Sequence, residues 1–70
     1  MPFVHVNITR DGATQAQKRQ LVREITDTLQ RVLDKSPDLT HIVITEVATD
    51  DWGHGGELVT DRRSRESAAR

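Results

Sequence analysis

The apolar residues change their spacing twice within the first 47 positions, and few folds tolerate that pattern. Phe3-Val4-His5-Val6-Asn7-Ile8 alternates, with Val4, Val6 and Ile8 on one face and Phe3, His5 and Asn7 on the other. That is the period of a half-buried strand. Leu21, Val22, Ile25, Leu29, Val32 and Leu33 then recur at helical spacing. They make a single stripe on a helix of about five turns. From Thr40 to Val47 the chain is rich in Ile, Val and Thr and reads as a second strand. Strand, helix, strand at this spacing is a single βαβ unit. It predicts an α/β fold with parallel strands joined by a right-handed crossover.

Local signals punctuate the unit. Thr9-Arg10-Asp11-Gly12-Ala13 reads as a turn, and Thr14-Gln15-Ala16-Gln17 as a capping box opening the helix. Asp34-Lys35-Ser36-Pro37-Asp38 stops it, because Pro37 cannot continue a helix and restricts Ser36 as well. Beyond Ala48, Gly53, Gly55 and Gly56 fall within four positions, which predicts a loop with a short hairpin or strand. These glycines are no phosphate loop, since the Lys-Ser/Thr pair and the strand-to-helix context are missing. Residues 61–70 carry a charge of +2 against −3 for residues 1–60, and have no apolar anchors beyond two alanines. The reading is therefore one domain over residues 1–63 and a disordered tail over 64–70.

Seventy residues, 34% of them apolar, bury little surface alone. No cysteine is present, which excludes a disulfide scaffold and a thiolate metal site. His5, His41 and His54 lack the paired spacing of a zinc site. Association is the remaining remedy, and a lone βαβ unit calls for it: it leaves two open strand edges and one bare sheet face. Net charge of −1 and a pI near 6.3 argue against nucleic-acid binding, as does the lack of aromatics near Arg62, Arg63, Arg65 and Arg70. The longest apolar run, Ile42 to Ile44, is too short to span a membrane, and the N-terminus has no signal-peptide series. A soluble cytoplasmic oligomer is expected.

Pro2-Phe3-Val4, Gln17-Lys18, Ile44-Thr45-Glu46 and Trp52-Gly53-His54-Gly55-Gly56-Glu57-Leu58 together resemble the 4-oxalocrotonate tautomerase family over residues 2–63. The resemblance implies a cofactor-independent, metal-free isomerase that converts an enol or dienol carboxylate to its keto form. It implies a hexamer built as a trimer of dimers, from one chain or from paralogous chains. It also implies that Met1 is removed and that the Pro2 amine is the general acid/base. The chemistry is sound in itself: an α-amino group titrates at about 7.7–8.0 in the open, and desolvation or nearby cations lower it towards working pH. The alternative for Pro2 is a rigid start to an edge strand. If Met1 is retained, the Pro2 nitrogen is an amide and no base.

The substrate-binding residues implied are Arg10, His41 and Trp52, and here the chain departs from the family. One family arginine lies in the loop after the first strand; Ala13 takes that slot, and Arg10 is the cation nearby. The second lies three residues before the Ile-Thr-Glu segment, where this chain has His41, without a guanidinium fork. Trp52 replaces an aromatic that walls the site. Solvated turn arginine, polar strand-end residue and interface packing are the respective alternatives. His54 aligns with the water-activating acid of related dehalogenases, or is simply an exposed loop histidine. Two other functions follow from these departures: a hydratase- or dehalogenase-like activity on an unsaturated acid, and a non-catalytic oligomeric binding module.

Overall fold

In a computed structural model that describes residues 1–68, the N-terminal alternation becomes strand β1 (Phe3–Thr9). Helix α1 (Gln15–Leu33) follows, then a 3₁₀ turn at Pro37–Leu39 and strand β2 (His41–Val47). The two strands pair in parallel, with Phe3 opposite His41, Val6 opposite Ile44 and Thr9 opposite Val47. The βαβ unit expected from the spacing is therefore present.

Thr14 opens α1 with both halves of the capping box: its hydroxyl accepts from the Gln17 amide at 3.1 Å, and the Gln17 side chain accepts from the Thr14 amide at 2.9 Å. The helix stops earlier than Pro37 requires. Asp34 turns into the left-handed region at φ 55°, and its amide caps the Gln30 carbonyl at 2.9 Å. Asp is one of the few residues besides glycine that enter this region readily.

Helix α1 lies over one face of the two-stranded sheet. Lys18 of α1 reaches Glu46 at 3.2 Å, and alternation puts Glu46 on the same face as Ile42 and Ile44. Val4, Val6, Ile8, Ile42 and Ile44 are half-buried there beneath a stripe whose half-buried members are Leu21, Ile25 and Leu29. The opposite face is bare. It carries Phe3, 65% exposed, and Val43, 43% exposed, with His5 donating to or accepting from the Thr45 hydroxyl at 2.7 Å.

After β2 and a 3₁₀ turn at Thr49–Asp51, strands β3 (Gly53–His54) and β4 (Glu57–Leu58) form the expected hairpin. Gly55 and Gly56 have φ of 63° and 88°, the backbone that a two-residue type I′ turn demands at both central positions.

The expected tail is largely helical instead. Helix α2 (Val59–Ala68) replaces disorder over 64–68, and residues 69–70 lie outside the described residues. It has no apolar stripe; polar contacts along its length hold it. The Val59 amide donates to the Trp52 carbonyl at 2.8 Å, and the Thr60 hydroxyl pairs with Thr49 at 2.6 Å and with Asp50. Arg62 meets Glu66 one turn on at 3.1 Å, and Arg65 reaches back to Glu57 at 2.5 Å.

None of the described residues is buried. The radius of gyration is 16.1 Å, where a compact domain of this length has about 11 Å. One helix on a two-stranded sheet cannot enclose a core. Among the described residues no helix is long and apolar enough to cross a membrane.

Candidate active site

Pro2 sits half-buried directly before β1. Its carbonyl accepts the His41 amide at 3.0 Å, extending the parallel ladder by one bond past the Phe3–His41 pair. His41 is exposed as the first residue of β2, and alternation places it on the bare face with Val43. Pro2 and His41 therefore form one cluster, at the end of the sheet where both strands begin. Met1, 83% exposed, projects from it.

Arg10 lies at the other end. Its amide donates to the Val47 carbonyl at 2.9 Å, and among the described residues its guanidinium makes only a long 3.5 Å contact with the Glu46 carbonyl. The remainder of this exposed side chain is open to a ligand. Trp52, half-buried, follows β2 beyond the same end and is fixed through its carbonyl by Val59. A strand rises about 3.3 Å per residue, so Pro2 and Arg10 stand about 26 Å apart along β1. A single chain thus brings Pro2 to His41 and sets Arg10 and Trp52 at the far end. A depression of about 550 Å³ along α1, lined by Gln15, Lys18, Arg19, Val22 and Arg23, involves none of the four.

His54 is exposed on the hairpin opposite Glu57. The Glu57 carboxyl is held below the usual carboxylate range, chiefly by its hydrogen bond from Arg65, with smaller contributions from the charges of Arg65, Arg62 and His54.

The sequence reading missed Arg63. From α2 it grips Asp11 with both arms of its guanidinium, at 2.6 and 3.0 Å, and lies 3.5 Å from the Thr9 hydroxyl. Thr9 also donates to Asp11. The Arg63 fork, and after it the Thr9 hydroxyl, lower the Asp11 pKa to about 2. The available signal was the i,i+4 spacing of Arg62 and Glu66, which favours a helix that carries Arg63.

Residues 2–62 match the family model described as "Tautomerase enzyme", and the chain belongs to that family. Its relatives span it almost end to end. The "Probable tautomerase K2" of Dickeya dadantii is 51% identical over 67 residues, covering 96% of this chain and 100% of that protein. A 2-hydroxymuconate tautomerase of Pseudomonas putida is 35% identical over 63 residues, covering 90% and 98%. Among solved structures, DmpI from Helicobacter pylori superposes with a TM-score of 0.85 at 32% identity, covering 90% of this chain and 97% of the other. A structure from work on the 4-oxalocrotonate tautomerase isozymes of Methylibium petroleiphilum gives 0.85 at 31%, covering 91% and 98%. The family is one of isomerases, and the chain is an enzyme of that class.

Proposed function

We propose that the mature chain begins at Pro2 and isomerises an enol carboxylate to its keto form, in a site shared between copies. The amine accepts the enol hydroxyl proton as the carbonyl forms, and the resulting ammonium returns a proton to carbon. Proton gain and loss balance, and no other group need change charge. Arg10 binds the substrate carboxylate, His41 donates a hydrogen bond to a substrate oxygen, and Trp52 walls the pocket.

The observation that carries this reading is the separation of the four residues into two pairs at opposite ends of one sheet. Two copies related by a two-fold axis and joined along a strand edge run antiparallel. The Pro2–His41 end of one then lies beside the Arg10–Trp52 end of its partner. Both strands offer open edges for this, and the bare face with Phe3 and Val43 needs covering in any case. Three such dimers around a three-fold axis, a hexamer, would cover that face. Homologous 4-oxalocrotonate tautomerases include an asymmetric trimer of a fused chain, at 30% identity.

The test is intact-mass spectrometry combined with assay on phenylenolpyruvate. Chains that begin at Pro2 turn the substrate over, and chains verified to keep Met1 do not, since an amide nitrogen accepts no proton. Turnover by the Met1 form would overturn the mechanism.

A further inference from the structure

Helix α2 has no apolar stripe and no place in the isomerisation as described, yet one of its side chains reaches the loop that carries Arg10. Arg10 stands between Thr9 and Asp11. Its own amide is fixed to Val47 at 2.9 Å, and Gly12 beyond it turns the loop with φ of 87°, a conformation that favours glycine. Asp11 is the point at which the loop is held from outside: both its carboxylate oxygens are taken by the Arg63 fork, at 2.6 and 3.0 Å. Two parallel charged hydrogen bonds define an orientation as well as an attraction.

We propose that Arg63 is a positioning residue for Arg10: the Arg63–Asp11 clamp sets the loop so that the Arg10 guanidinium is aimed at the substrate carboxylate. The proposal rests on the reading of Arg10 as the carboxylate ligand. Arg63 acts through Asp11 and not on the substrate, because its fork is already filled. Among the described residues Arg10 has no comparable partner; the 3.5 Å contact with the Glu46 carbonyl leaves most of its donors free. The clamp couples residues 52 positions apart, and so gives the C-terminal helix a task at the site.

Steady-state kinetics of the full chain on phenylenolpyruvate separate the possibilities. Arg63→Ala should raise KM about 5-fold with kcat little changed, the pattern of weakened ground-state binding. Asp11→Asn should act in the same direction, and the exchanged pair Asp11→Arg with Arg63→Asp should recover part of the loss. In an Arg10→Ala background, Arg63→Ala should have no further effect, since residues acting through one another are not additive. Full additivity there, or a lower KM in Asp11→Asn as Arg63 is released onto the substrate, overturns the proposal while leaving the Arg10 reading intact. An Arg10→Ala variant with unchanged kinetics overturns both. Sedimentation of each variant checks that assembly is preserved.

Discussion

The His41 amide donates to the Pro2 carbonyl at 3.0 Å, so the first residue of β2 ties down the residue that precedes β1. The proline nitrogen, two bonds back from that carbonyl carbon, is thereby held at the sheet end instead of fraying. Pro2→Ala keeps an α-amine on the same tether but makes it primary and freer to rotate. We predict partial activity for this variant, and none after acylation of the proline nitrogen. The pH–rate profile of the Pro2 enzyme should show a limb below the open-chain amine range of about 7.7–8.0 if assembly dries the pocket.

Arg10→Ala should lower kcat/KM about 10- to 100-fold, the usual loss when charged hydrogen bonds to a substrate are removed. His41→Ala should cost less, because an imidazole lacks the guanidinium fork that binds a carboxylate at two points. An equal or greater loss at His41 would reverse the assignment of the two residues.

The bare sheet face makes a separate prediction. Phe3 is 65% exposed and Val43 43%, on the side α1 does not cover. Phe3→Glu should shift sedimentation from an oligomer to smaller species and abolish turnover with it. A monomeric wild-type chain at micromolar concentration would sink the shared-site reading.

Acid should loosen the Asp11–Arg63 clamp in a defined window. The Asp11 pKa is lowered from 3.8 to about 2, so the clamp's contribution is complete above the unfolded value and disappears as pH falls from 3.8 through about 2. Glu57, lowered mainly by Arg65, acts in the same sense. Helicity of α2, followed by amide exchange, should fall across that window, and Asp11→Asn should remove Asp11's share of the slope.

Much of this architecture could be read from short-range patterns. β1, the capping box, β2 and the glycine hairpin each rest on residues within a few positions of one another. Helix α2 does not. It is held by Glu57, Thr49 and Asp11, and only the fold brings Thr49 and Asp11 near it, so a charged segment without apolar anchors read as a tail. The end of α1 was legible in the stop at residues 34–38, though nothing adjacent shows that Asp34 itself would turn left-handed to make the cap. The separation of Pro2 from Arg10 was legible in principle. Both flank one strand, and a strand's rise alone keeps them apart.

That separation has a genetic consequence. If every pocket draws its proline from one copy and its arginine from another, two impaired chains can complement each other. In a mixed pair of a Met1-retaining chain and an Arg10→Ala chain, one pocket inherits both defects and the other inherits neither. Co-assembly would thus raise turnover well above that of either parent alone. Recessive lesions at the two sheet ends would look like alleles of different genes, although they lie eight codons apart in the same short reading frame.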